Sequence, residues 1–252
     1  MGETLLWTFI SRTCAESIGL STAKLQTTVL CRLIRPGFAW NVQFVLMAST
    51  RAILFDADGV LIHAERFSVH LQREYGITND KTHSFFTGVF QRCLVGEANL
   101  KEVIEPYVAQ WGWRGTVEEL LHVWFTSEHT VDEEMVEIIM SLKEFGAKCF
   151  LVTNNEKCRT EYMRAQMGFG EIFDEVYSSA SVGHLKMDPQ FFRIVTDDIR
   201  ERFLAGLEPQ EVAFFDDDQK NIESAGQFGV QAHLFADLSN FKLQLGTLGL
   251  KI

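Results

Sequence analysis

The sequence predicts an α/β protein: a doubly wound parallel sheet, with an all-helical segment inserted after the first strand of that sheet. Three observations predict it. Short apolar runs recur, and three of them stop at acids or at a Thr-Asn pair, as strands buried on both faces do. Stretches with apolar residues at helical spacing separate those runs. Between the first run and the second lies a stretch of about 75 residues that reads as helical throughout. Strands alternating with helices require right-handed crossovers, hence a parallel, Rossmann-like sheet covered on both faces.

Taken in order, residues 1–46 stand apart. They hold two acids (Glu3, Glu16) and four bases (Arg12, Lys24, Arg32, Arg35), a net of +2 that leaves −13 for the rest of the 252-residue chain. Ser and Thr are frequent there and the apolar residues show no clear period, so no strand is expected before Met47-Ala-Ser-Thr-Arg51 and Leu5 to Ile10 reads as a helix. Two readings stand: a translation start placed upstream of Met47, or a basic, Ser-rich, acid-poor transit peptide.

The first sheet strand is Ala52-Ile-Leu-Phe55. The helical segment follows, with helices over Glu65–Tyr75, His83–Leu94, Leu100–Trp111 and Thr116–Phe125, punctuated by Gly76, Gly96, Gly112 and Gly115. A helix over Glu133–Phe145 leads to strand Cys149–Val152. Further strands are expected at Asp174–Ser178, Val212–Phe215 and Gln231–Phe235, with helices over Glu156–Met167, Pro189–Phe203 and Asn221–Phe228. The domain boundaries are set at 47–61 and 142–252 for the α/β core and 62–141 for a helical cap. Such a cap sits over the carboxyl ends of the strands, where open α/β sheets bind ligands.

Composition removes several function classes. Hydrophobic residues are 46% and charged residues 23%, ordinary globular usage. A net charge of −11 repels a phosphate backbone, so no nucleic-acid partner is expected. No apolar run reaches the roughly 20 residues of a bilayer span, so no membrane partner is expected. Five scattered cysteines without a C-x-x-C pair point to a reducing, cytoplasmic setting and no zinc cage.

The chemistry gathers at three strand ends: Asp56-Ala-Asp58-Gly59, Thr153-Asn154-Asn155 and Asp216-Asp217-Asp218. A parallel sheet sets these ends side by side. Carboxylates packed so closely raise one another's pKa unless a cation sits among them. Hard oxygen ligands without a Cys or His cluster point to Mg²⁺.

The motif set resembles that of the haloacid dehalogenase-like hydrolases, in the phosphatase branch with a helical cap. Asp56-x-Asp58-Gly59-Val60 is similar to the family's first motif and Thr153-Asn154 to its second. Gly183-His-Leu-Lys186-Met-Asp188-Pro189 resembles the third, with Met187 where proline is usual, and Phe215-Asp216-Asp217-x-x-x-Asn221 the fourth. The likeness runs from about Arg51 to Phe235.

The resemblance implies that Asp56 is the nucleophile and that Asp58 passes a proton to the leaving oxygen and then activates water. It also implies that Thr153, Asn154 and Lys186 bind the substrate's phosphate, with Thr153 and Lys186 sharing in catalysis. Mg²⁺ is then held by Asp56, the Asp58 carbonyl and a fourth-motif acid. Asp217 is taken for that acid, because Asn221 follows it by four residues, with Asp216 as the competing choice. The activity implied is a phosphatase acting on a small phosphorylated metabolite, as a monomer or homodimer. A phosphomutase of the β-phosphoglucomutase type shares all four motifs, and a non-catalytic binding protein on the same fold is a third reading.

Weaker signals are the insert's aromatics (Phe85, Phe86, Phe90, Trp111, Trp113, Trp124, Phe125), read as its core or as a pocket lining, and Arg92 and His63 as possible substrate contacts. Cys149 reads as a small buried apolar residue.

Overall fold

A computed structural model describes residues 50–250 and, before them, the backbone of two strands. The chain divides into two units, 1–50 and 51–252. In the first, β1 (Val29–Ile34) pairs antiparallel with β2 (Asn41–Leu46), Val29 opposite Leu46 and Ile34 opposite Asn41. This corrects the expectation that no strand precedes Met47. Asn41-Val-Gln-Phe44 alternates polar and apolar residues with the two-residue period of a strand. The helix expected at Leu5 to Ile10 lies outside the described residues.

The second unit is the doubly wound sheet. Its strands are β3 (Ala52–Phe55), β4 (Lys148–Thr153), β5 (Glu175–Ser178), β6 (Val212–Asp216) and β7 (Gln231–Leu234), all parallel, in the order β5-β4-β3-β6-β7. The chain winds outward from β3 through β4 to β5, then returns to β6 on the other side of β3. The point where the winding reverses therefore lies beside β3, the place where such sheets bind ligands.

The β3 side chains are all fully buried and divide by parity. Ile53 and Phe55 join Cys149, Leu151, Ala213 and Phe215 in the core on one face; Ala52 and Leu54 join Phe150, Val152, Val212 and Phe214 on the other.

Between β3 and the helix Glu133–Glu144 lie five helices: α1 (Phe67–Tyr75), α2 (Asn79–Thr87), α3 (Phe90–Leu94), α4 (Leu100–Trp111) and α5 (Val117–Ser127). The single helix expected over 83–94 is two, broken at Gly88 (φ −107°, ψ −111°). A Cβ there would lie 2.5 Å from the Ser84 carbonyl oxygen, so a larger residue could not make the break. A capping box between Thr116 and Glu119 starts α5. These helices have their own core, built on Phe67, Leu71, Phe85, Ile104, Trp111 and Trp124. Trp124 stacks on Phe67 with ring centroids 4.9 Å apart.

The chain enters and leaves this helical insert through paired backbone. Ile62 bridges Val131, His63 N–H donates to the Thr130 carbonyl at 3.0 Å, and Asp132 N–H donates to the Leu61 carbonyl at 2.8 Å. Helix α6 (Glu133–Glu144) then packs Met135, Ile138, Ile139 and Leu142 into the sheet's core. The boundary expected at 141–142 thus falls inside a helix whose apolar face belongs to the sheet.

The remaining helices include α7 (Lys157–Ala165), α8 (Phe169–Ile172), α9 (Ser179–Val182), α10 (Pro189–Arg202), α11 (Gln219–Phe228) and, after β7, α12 (Leu238–Thr247).

Candidate active site

The predicted acids, Thr153 and Lys186 meet at the carboxyl ends of β4, β3 and β6. Asp56 directly follows β3, and its N–H continues the ladder to the Phe215 carbonyl at 3.0 Å. The residue is only 6% exposed. Oδ1 accepts from the Ala57 N–H at 2.6 Å and faces Lys186 Nζ at 2.5 Å. Burial pushes the Asp56 carboxyl well above the ordinary carboxylate range; the Lys186 charge opposes this and the Asp216 charge adds to it.

Lys186 is buried more deeply still, and its Nζ lies 2.7 Å from Asp216 Oδ2, so one ammonium bridges two carboxylates. Burial alone would lower its pKa; Asp56 and Asp216 outweigh burial and hold it above its usual value, charged. The loop that carries Lys186 is pinned by its backbone, because Lys186 N–H donates to Asn154 Oδ1 at 2.9 Å. Asn154, expected to touch substrate, thus places the lysine. Met187 is exposed, and Asp188 caps α10 just ahead of Pro189.

The fourth strand end sorts its acids by burial. Asp216 is fully buried and saturated: it accepts from Lys186, from Asn221 Nδ2 at 3.0 and 3.1 Å, and from the Asp218 N–H at 2.8 Å. Asn221, whose spacing pointed to Asp217, bonds Asp216 instead. Asp217 is exposed, and its carboxylate rests against Gly59. Partial burial and the Asp216 charge raise its pKa. Asp218 caps α11, the turn role expected of it.

Asp56, Asp216 and Asp217 can each bring one carboxylate oxygen within 4.8 Å of the others, a donor set of hard oxygens that suits a small divalent cation. With Asp216 engaged by three donors, Asp56 and Asp217 are the two acids with oxygen to offer. The loop 56–62 is drawn tight beside them by Leu61 and Ile62 N–H groups donating to the Ala57 carbonyl and by Gly59 N–H donating to the Ile62 carbonyl.

Asp58 and Thr153 share a partner. Asn155 Nδ2 donates to Asp58 Oδ2 at 3.0 Å and to Thr153 Oγ1 at 2.7 Å. Thr153 is buried, and with its oxygen accepting, its hydroxyl proton is free to be donated. Asp58 Oδ1 faces Arg159 Nη2 at 2.7 Å. Neither Arg159 nor Glu128, on the far side of that guanidinium, was singled out from sequence. A signal for Arg159 existed: it stands four residues before Met163, on the buried face of α7.

The weaker candidates have other partners. Arg92 is exposed and pairs with Glu97 at 3.6 Å; His63 pairs with Asp132 at 3.4 Å, beside the paired backbone at the foot of the insert. The aromatics pack in the insert's own core or against it. No helix among the described residues is long and apolar enough to cross a membrane.

Comparison with known proteins places this geometry in context. The model of one hydrolase family, described as haloacid dehalogenase-like hydrolase, matches residues 50–229. A D-ribitol-5-phosphate phosphatase of Bacteroides thetaiotaomicron is 25% identical over 191 residues, covering 71% of this chain and 88% of that protein. Among solved structures, a HAD family enzyme from the same organism, in complex with magnesium and inorganic phosphate, aligns with a TM-score of 0.64 at 20% identity, covering 76% of this chain and 98% of that one. A predicted HAD-like family hydrolase from Porphyromonas gingivalis aligns at 0.66 and 22%, covering 81% and 100%.

Proposed function

Since the chain belongs to the haloacid dehalogenase-like hydrolase family, we propose that it is a Mg²⁺-dependent phosphatase that cleaves a small phosphorylated metabolite through an aspartyl-phosphate on Asp56. The observation that carries this reading is Asp58. Its carboxylate is half exposed and is held by Asn155, the same amide that holds Thr153. A proton carrier fixed there serves a leaving alkoxide.

In this reading the Asp56 carboxylate attacks phosphorus, the bond to the substrate's ester oxygen breaks, and Asp58 gives that oxygen its proton. Asp58 then takes a proton from the water that splits the acyl phosphate and frees Asp56. Thr153 donates its hydroxyl proton to a phosphate oxygen, and Lys186 offsets negative charge beside the nucleophile. Asp56, the Asp58 carbonyl and Asp217 would hold Mg²⁺, which neutralises phosphate charge so that an anionic nucleophile can approach. The phosphatase relative and the relative bound to magnesium and inorganic phosphate support the reaction class and the ion. The five-helix insert serves as the cap, hinged at the paired backbone of residues 61–63 and 130–132.

The test is phosphate release from p-nitrophenyl phosphate by the full chain. Activity that needs Mg²⁺, stops with EDTA and disappears in Asp56→Asn is the expected result. Release unchanged in Asp56→Asn would sink the reading.

A further inference from the structure

Asp58 belongs to a longer chain of contacts. Arg159 stands in the first turn of α7 with its side chain only 3% exposed. One end of its fork, Nη2, reaches Asp58 Oδ1 at 2.7 Å, and the other, Nη1, bonds Glu128 Oε2. Glu128 closes α5, the last helix of the insert. Its Oε1 accepts the N–H of Phe67, the first residue of α1, at 3.0 Å, and its Oε2 also accepts Trp124 Nε1 at 3.0 Å. A single buried guanidinium therefore joins the exposed carboxylate beside the nucleophile to both ends of the insert.

The chemistry makes this more than a surface pair. Asp58 has a 51% exposed side chain, yet both its oxygens are claimed, Oδ2 by Asn155 and Oδ1 by Arg159. A carboxylate so exposed would otherwise turn freely about its side-chain torsions. Arg159 reaches its two carboxylates with separate nitrogens of one planar, rigid fork, a geometry that a compact lysine ammonium on its flexible stem does not preset. Burial pushes the Glu128 carboxyl up while Arg159 and the Phe67 N–H draw it down, so the insert's end of the chain depends on the same guanidinium.

We propose that Arg159 is a positioning residue. It fixes Asp58 for proton transfer and, through Glu128, ties that placement to the entry and exit of the insert, so that insert position and the readiness of Asp58 change together. The proposal rests on the phosphatase reading for its kinetic half only.

The experiment uses the full chain in two arms. In the first, kcat and KM for p-nitrophenyl phosphate with Mg²⁺ are measured for Arg159→Gln, Arg159→Lys and Glu128→Gln, alone and on Asp58→Ala. Misplacing a catalytic group by an ångström costs about a hundredfold. Arg159→Gln should lose turnover on that scale with KM little changed, and Arg159→Lys should recover part of it. Glu128→Gln, which leaves the guanidinium beside Asp58, should lose less. On Asp58→Ala none of the three should lower the residual rate further. If Arg159→Gln fails to fold, Arg159→Lys and Glu128→Gln carry the test.

In the second arm, hydrogen exchange is followed at the Phe67 amide and the Trp124 indole N–H. Exchange should quicken at both in Arg159→Gln and in Asp58→Ala. Equal losses with and without Asp58, or a rise in KM at constant kcat, would overturn the positioning role. Exchange indifferent to Asp58→Ala would overturn the link to the insert. A wild-type chain that releases no phosphate would remove the phosphatase reading, and the exchange arm would still decide the link.

Discussion

The carboxylate of Asp217 occupies the space that a side chain at Gly59 would need: a Cβ there would lie 2.2 Å from Asp217 Oδ2 and 2.6 Å from Cγ. Gly59 also has φ +92°, a conformation that other residues adopt only under strain. The two loops that bear the first and fourth acidic motifs can approach this closely only because residue 59 has no side chain.

Gly59→Ala should therefore do two separable things. It should cost about 1–3 kcal/mol through backbone strain, seen as a lower midpoint of urea unfolding. It should also displace Asp217 and reduce the rise in Tm that Mg²⁺ gives the parent. A variant with the parent's Mg²⁺ response would show that Asp217 is not a ligand.

Lys186→Met should leave Asp56 and Asp216 facing one another without a cation. Breaking a buried ion pair by removing one partner costs about 3–5 kcal/mol, and both carboxylates here are nearly or fully buried. Chemical unfolding without added metal should show a loss of that order, together with loss of phosphatase activity. A variant as stable as the parent would mean that the two acids are not both ionised in the native protein.

Cys149 and Cys93 should resist alkylation. Burial pushes their thiols up to about 12 and about 11, and both side chains are enclosed, so little thiolate forms at about pH 8. Mass mapping after iodoacetamide should find both unlabelled in the native chain and labelled in urea. Rapid native labelling of Cys149 would contradict its place in the sheet's core.

His233 supplies a stability slope. Its ring stacks on Phe215 with centroids 5.1 Å apart, and burial holds its pKa below the usual value. The unfolded chain thus takes up this proton more readily than the folded one. The contribution is complete above the unfolded histidine range near pH ~6.5 and is lost as pH falls through it. Urea midpoints of His233→Phe should fall less steeply than the parent's between about pH 7 and pH 5. Parallel slopes would place the histidine's proton uptake equally in both states.

The sequence made the sheet legible for a specific reason. β3, β4 and β6 are buried on both faces, so their apolar runs are uninterrupted, and they end where polar chemistry begins. Arg159 and Glu128 were hidden because neither looks unusual in one dimension: an arginine in a helix and a glutamate at a helix end are ordinary surface chemistry until folding encloses them. The break at Gly88 is masked in the sequence too, since Phe85, Phe86 and Phe90 continue a helical spacing across it. Which of Asp216 and Asp217 is enclosed depends on Lys186, which arrives from another loop, and on how the first turn of α11 sets Asn221.

The bridge between Ile62 and Val131 means that the five helices form a closed excursion whose ends meet. A short turn between those two residues would span the gap if the excursion were absent, and β3 and α6 would keep their places. The acids, the threonine and the lysine all lie outside the excursion, while Glu128 lies within it. Exchange of one helical insert for another could therefore alter what the site admits without rebuilding what it does, provided the newcomer offers a carboxylate to Arg159.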